Sequence, residues 1–398
     1  MKIVCLSTYP VDAPRHGGQH RLANIVAALR AAGHDIRSAG VAGSASYPPS
    51  QYFIDFPGEK TMAPVTDDNP FMDDWGLGEL FGVEGPQFQA LADKIGIVPD
   101  AIFVEQPWMF RFAERFNRSR CNGRAILLYG SENVEHRLKF DILRRYKSEK
   151  IAADGRDKVL ACELHALKHA AQTFCVSQGD IDWSKDYAPS PPILAANGVI
   201  DRQTTLDDIA AASTITEGRK FALYCASAHP PNIEGFFDLF GAGAGCFPPP
   251  TRLVTAGGAG VFIGRDQRLH RAGSLARQYI DAGEVSEEVL RGLLATAHMI
   301  ILPLTSGGGT NLKAAEAIWA GQHVVGTTIA MRGFERFIGA RGITVADGGP
   351  AFCNAIREVF MKPNLALHPD ERADRSSVLW PNTLSDLANA ITAMGPAA

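Results

Sequence analysis

Short apolar runs alternate with segments of helical period along most of this chain, and that alternation permits few folds other than parallel α/β units. Ile3 to Leu6 reads as a buried strand. A glycine-containing loop follows it, then a helix from about His20 to Ala32. Within that helix Leu22, Ile25, Val26 and Leu29 fall at i, i+3, i+4 and i+7, and Gly33 stops it. Further strands are predicted at Ala101–Val104, Ala125–Tyr129, Thr173–Ser177 and Ile193–Ala196. A second series runs through Phe221–Cys225, Arg252–Thr255, Met299–Leu302, His323–Gly326 and Ile343–Val345. The chain has 398 residues, too many for one compact core. Two Rossmann-like α/β domains facing each other across a cleft are the simplest arrangement. Asp201–Gly218, polar and acidic, reads as the boundary. Leu379 through Met394 reads as helical and able to pack back onto the first domain. The predicted domains are therefore 1–200, 201–375 and a terminal helical segment 376–398. Ser44 to Gly85 shows no period and reads as a long irregular excursion with short helices.

Charge and cysteine usage narrow the class. The net charge of -4 gives no overall attraction to nucleic acid. Seven scattered cysteines, none at metal or redox spacing, fit a reduced cytoplasmic compartment better than a disulfide framework. The N-terminal apolar stretch is too short for a signal peptide, and no apolar run approaches the roughly 20 residues of a membrane span. His165 and His169 share a helix face of the kind that binds zinc, but no cysteine or third histidine is spaced to complete a site, so no metal is assigned. His16 and His20 flank Gly17-Gly18, which reads as a loop. The basic amphipathic stretch from Arg137 to Lys150 is of the kind that contacts anionic lipid, with a solvated helix face as the plainer reading.

One segment carries chemistry. Strand Met299–Leu302 runs into Pro303-Leu304-Thr305-Ser306, then Gly307-Gly308-Gly309-Thr310-Asn311, then a helix from Leu312 to Ala320. Successive glycines let the backbone approach a ligand closely. The helix N-terminus that follows offers unpaired N–H groups and partial positive charge, an anion site. Lys313 stands in the first turn, where a cation is unfavourable for the dipole, so phosphate neutralisation is the reason for it read here. Glu316 lies on the same face and suits two hydroxyl donors, as from a ribose. The plain alternative is a structural turn with a solvated surface pair. The Gly-Lys-Ser/Thr ending of a Walker loop and the dinucleotide G-x-G-x-x-G are both missing.

In order and spacing, these motifs resemble the family 4 glycosyltransferases of the GT-B superfamily. Pro303-Leu304, Gly307–Thr310, Lys313, Glu316-Ala317, Ala320-Gly321 and Val324–Thr327 follow that family's donor-site pattern, and Met331–Phe334 its next small loop. The likeness extends to Pro10–Gly18, Asn133–Glu135, Glu163, Cys175–Ser177, Asn197–Val199, Gly283–Val285 and the Pro-Asn motif Pro231–Gly235. It implies retaining transfer of a sugar from a nucleotide-diphosphate sugar to a glycan, glycolipid or other hydroxyl acceptor. On this reading the nucleotide sugar is a co-substrate, with no further cofactor and no metal. Lys313 and Glu316 become the catalytic pair. Gly17, Gly18, Ser227, Asn232, Gly307, Gly308, Gly309, Thr310, Asn311, Leu312 and Arg332 form the donor site. Glu132, Asn133 and Glu105 lie on the acceptor side, where a lipid-linked acceptor would bring the protein to the inner face of a membrane. Three positions depart from the family pattern. Gly308 stands where many relatives carry a first glutamate, Ser227 near a usual arginine with no lysine before Gly235, and Glu132 where a histidine is common. The first two leave a GT-B-like module that binds nucleotide sugar or glycan without turnover as the alternative.

Overall fold

The computed structural model describes residues 1–241, 246–271, 273–306 and 310–396. Gly307, Gly308 and Gly309 lie outside the described residues. The chain divides into two compact units, Met1–Ala196 with Thr383–Ala398, and Asn197–Asn382. The first holds seven strands: β1 (Lys2–Ser7), β2 (Asp35–Val41), β3 (Phe53–Ile54), β4 (Ala101–Glu105), β5 (Ile126–Ser131), β6 (Gln172–Cys175) and β7 (Ile193–Leu194). Every pairing is parallel, in the order β3-β2-β1-β4-β5-β6-β7. Ile3, Val4, Cys5 and Leu6 are wholly buried, as a strand covered on both faces must be.

The second unit holds β8 (Phe221–Cys225), β9 (Arg252–Ala256), β10 (Tyr279–Gly283), β11 (Met299–Leu302), β12 (His323–Gly326) and β13 (Ile343–Val345). These too are all parallel, in the order β10-β9-β8-β11-β12-β13. Counted within its unit, each sheet has the doubly wound order 3-2-1-4-5-6, the first with a seventh strand added. The order reverses between β1 and β4 in one unit and between β8 and β11 in the other. Crevices at the carboxyl ends of these strand pairs are where such sheets hold ligands.

The predicted strands all form, while β2, β3 and β10 were not foreseen. β3 is two residues long, and β10 is an edge strand interrupted by Asp281, so neither presents an apolar run. The first helix begins at Gly17, with His16 as its N-cap, so Gly17 and Gly18 form its opening turn and not a loop. Ser44–Gly85 contains β3 and the helices Glu59–Thr66 and Asp73–Phe81.

The segment read as a boundary is a helix of the second unit, Leu206–Thr216. Thr205 and Asp208 form a reciprocal capping box at its start. Asp208 also accepts two 3.0 Å bonds from Arg291 on the helix Glu287–Thr296. The chain passes between units at Asn197, ahead of this helix, and returns at Thr383, later than the predicted 376. The two helices touch at Gly292, where an added Cβ would lie 1.9 Å from the Asp208 carbonyl oxygen. Gly292→Ala is therefore expected to part them and to lower the unfolding free energy of this unit by about 1–3 kcal/mol. Thermal unfolding checks this, and an unchanged melting temperature would mean the contact is not close.

Within the basic stretch 137–150 one cation is withdrawn from the surface. Lys139 is buried, donating to both Asp74 carboxylate oxygens at 2.7 and 2.8 Å and to the Phe71 carbonyl. It ties the helix Glu135–Tyr146 to the excursion before it, because a buried ammonium must be paired. Among the described residues no helix is long and apolar enough to cross a membrane.

Candidate active site

In the second unit the segments after β8 and β11 meet beside the reversal of strand order. The helix Pro230–Phe240 follows β8. Gly235 on it lies so near the segment after β11 that a Cβ would sit 2.5 Å from the Pro303 carbonyl oxygen. That approach brings Asn232 under the site. Its side-chain amide donates to the Ser227 carbonyl at 2.9 Å and to Ser227 Oγ at 3.3 Å. Its Oδ1 accepts from Lys313 Nζ at 3.4 Å. Asn232 is 4% exposed and its own carbonyl accepts from the Tyr224 hydroxyl, so its orientation is held.

Lys313 lies in the first turn of the helix Leu312–Ala320, whose N-cap Asn311 accepts from the Lys313 backbone N–H at 3.2 Å. Thr310 accepts a 2.6 Å bond from the Asn197 amide and packs over Gly333, where a Cβ would come within 2.2 Å of the threonine methyl. Gly333 follows Arg332, which is half-buried at the end of the short turn Ile329–Met331. Burial lowers the Lys313 ammonium from its ordinary value, against the pull of Glu316 and Cys225. Burial raises the Glu316 carboxyl, which Arg202 and Lys313 oppose. Glu316 stands 4.0 Å from Arg202 and lines a cavity of about 100 Å³ with Arg202, Val199, Ile200 and Trp319. The result is a half-buried cation with an unfavourable self-energy at a helix N-terminus, a combination that an anion would relieve.

In the first unit a second polar cluster lies at the ends of β1, β4 and β5. Glu132, just past β5, accepts from Tyr9 Oη at 2.6 Å and from Gln106 Nε2 at 2.9 Å. Trp108 Nε1 donates to Gln106 Oε1 at 3.2 Å. Gln106 has φ +64, a left-handed conformation that costs free energy in a non-glycine residue. Gly18 leaves room for this cluster, since a Cβ there would lie 2.9 Å from Tyr9 Oη and 3.0 Å from Glu132 Oε1. His16 Nε2 lies 2.9 Å from the Tyr47 hydroxyl, with its ring edge-on to Tyr9.

Glu105 does not belong to an exposed acceptor surface. It is wholly buried and bonded to Arg21 Nε at 2.9 Å, while Arg21 Nη1 donates to the Ala195 carbonyl at 2.7 Å. Burial pushes its carboxyl up to about 8, against the pull of Arg21 and with the help of Glu132. Gly130 faces it, where a Cβ would meet Glu105 Oε2 at 2.1 Å. Asn133 is half-buried, with its amide on Glu135 at 3.1 Å. Glu163 accepts the backbone N–H groups of Glu135 and His136 at 2.8 and 3.3 Å, and so caps the helix that follows.

Of the predicted catalytic and donor residues, the fold gathers Ser227, Asn232, Thr310, Asn311, Leu312, Lys313, Glu316 and Arg332 in one region of the second unit. It places Gly17 and Gly18 in the first unit, Gly18 against Glu132. Sequence reading gave Tyr9 and Tyr47 no role and read His16 only as flanking a loop, while Gln106 directly follows Glu105, which it placed on the acceptor side.

The family described as "Glycosyl transferases group 1" matches residues 222–362, the span of the second sheet. No curated protein matches the chain by sequence. Three solved structures are similar over nearly full length, each covering 99% of this chain. Sucrose-phosphate synthase from Thermosynechococcus elongatus is matched over all of its chain, with a TM-score of 0.72 at 16% identity. Anabaena HepE in complex with UDP and glucose is matched over 100% at 0.65 and 14%. WaaG, a glycosyltransferase involved in lipopolysaccharide biosynthesis, is matched over 99% at 0.63 and 13%. At such identities the structures establish the fold, which is GT-B. Residues 222–362 carry a group 1 glycosyl transferase domain.

Proposed function

We propose that the protein is a retaining glycosyltransferase of family 4 that moves a sugar from a nucleotide-diphosphate sugar to a hydroxyl of a glycan or glycolipid. The observation that carries this is the Lys313 ammonium, half-buried at a helix N-terminus beside the reversal of strand order and turned toward Asn232. Departure of the leaving group builds negative charge on a diphosphate. Lys313, the helix N-terminus and Arg332 are fixed partners for that charge, and fixed partners need no reorganisation as it develops. Glu316, beside Arg202, accepts the ribose hydroxyls. The diphosphate takes the acceptor's proton, so no separate protein base is required.

The acceptor hydroxyl is received by the Tyr9–Gln106–Glu132 cluster, whose carboxylate is an acceptor of hydrogen bonds held by two donors. Release of nucleoside diphosphate from a panel of nucleotide sugars, with and without lipid or glycan acceptor, tests the activity. UDP sugars head the panel, since the HepE crystals held UDP. Measurable donor binding with no release under any acceptor would overturn the proposal. Glu132→Gln keeps the shape of the cluster and removes its charge. It is expected to raise the acceptor KM about tenfold, the scale of one hydrogen bond to a charged group, and to leave donor binding unchanged. An equal loss with every acceptor and with water would place Glu132 elsewhere.

A further inference from the structure

Glu114, His165 and His169 lie outside everything the transfer reaction uses, and the fold brings their ligand atoms within 4.8 Å of one another. His165 and His169 occupy the last turn of the helix Glu149–His169, and Glu114 comes from the helix Phe110–Arg120. His165 Nε2 stands 2.7 Å from Glu114 Oε2, and the two imidazole centroids are 4.2 Å apart. His169 Nδ1 donates to the His165 carbonyl at 2.8 Å, which leaves its Nε2 with the lone pair. A backbone bond on one imidazole nitrogen is how proteins orient the other toward a metal. The third ligand lies 51 residues before His165, a separation that sequence spacing does not reveal.

We propose that these three residues bind one zinc ion and staple the two helices of the first unit together. Two imidazoles and a carboxylate suit zinc, with water as the fourth ligand. A cavity of about 190 Å³ beside Glu114 and His165 has room for that water. Four-coordinate zinc needs its ligands roughly 3.3 Å apart. For the ion to enter, the exposed His169 ring moves in from within 4.8 Å and the 2.7 Å contact of His165 with Glu114 opens. The cation would sit at a helix C-terminus, where the dipole favours it. Three guanidiniums line the same cavity, Arg111, Arg115 and Arg118. Glu79 lies 3.5 Å from Arg111 and Glu84 3.8 Å from Arg115, so with Glu114 the local charge is balanced before metal enters.

Tag-free protein stripped of metal and dialysed against zinc tests the site. One zinc per chain, a visible absorption band of four-coordinate cobalt on Co²⁺ substitution, and loss of at least tenfold in affinity in both His169→Ala and Glu114→Gln are expected. His169 is exposed, so its variant folds and circular dichroism can verify that. Zinc at about one hundred times its Kd is expected to raise the melting temperature of the first unit by about 5 °C. Absence of stoichiometric zinc at 100-fold excess over protein, or variants that bind as the parent does, overturns the site. Neither result touches sugar transfer, because none of the three residues belongs to the clusters assigned to it.

Discussion

Lys313→Ala is expected to lower kcat/KM for sugar transfer by about 10² or more, the scale of losing one fixed group that stabilises charge in the transition state. The side chain is half-buried and, among the described residues, its ammonium bonds to Asn232 at 3.4 Å, so alanine removes the ammonium without opening the core. The helix keeps its Asn311 cap, because that bond uses the Lys313 backbone and not its side chain. The loss should fall on kcat if the contact strengthens as the diphosphate departs, and Lys313→Arg should recover part of it. Nucleoside diphosphate release by a variant of unchanged circular dichroism is the measurement. An undiminished rate would remove Lys313 from the diphosphate site.

Arg21→Ala is expected to cost about 3–5 kcal/mol of stability, the scale of removing a large buried side chain and leaving its buried acceptors without donors. Arg21 is 1% exposed and Glu105 is wholly buried. The substitution strips Glu105 and the Ala195 carbonyl of their donors and leaves the volume of a large side chain empty. The melting temperature of the first unit should fall by roughly 10 °C at the usual 2–4 °C per kcal/mol for a unit of this size. Calorimetry reads this directly, and a fall of a degree or less would show that water replaces the guanidinium at little cost.

How far the sequence led depended on what each element needed. β1, β8 and β11 are covered on both faces, so their apolar runs announced them. β2 and β10 are not uniformly apolar, and their pairing with a central strand, which only the fold supplies, makes them strands. Asp201–Gly218 looked like a linker because it is acidic, yet that acidity serves a capping box and the Asp208–Arg291 pair. At the candidate site, Lys313 was legible because a cation in the first turn of a helix has a local physical reason, and Asn232 because it falls in the Pro-Asn motif of the family resemblance. Tyr9, Gln106 and Glu132 converge from three strands, and no local spacing encodes a convergence of that kind. Glu105 misled because the end of a strand faces both a crevice and the layer beneath it, and only burial tells the two apart.

The return of the chain to the first unit has a consequence for biosynthesis. Leu384, Leu387 and Ile391 are wholly buried, and the helix Ser385–Met394 packs on β7 and on the helix that begins at Gly17. The half that leaves the ribosome first thus cannot close its own core until the segment from Thr383 has been translated. The half made second is complete at Asn382, before that segment is made. Through that interval the nascent N-terminal half carries an open apolar groove, the kind of surface that holding chaperones shield from aggregation.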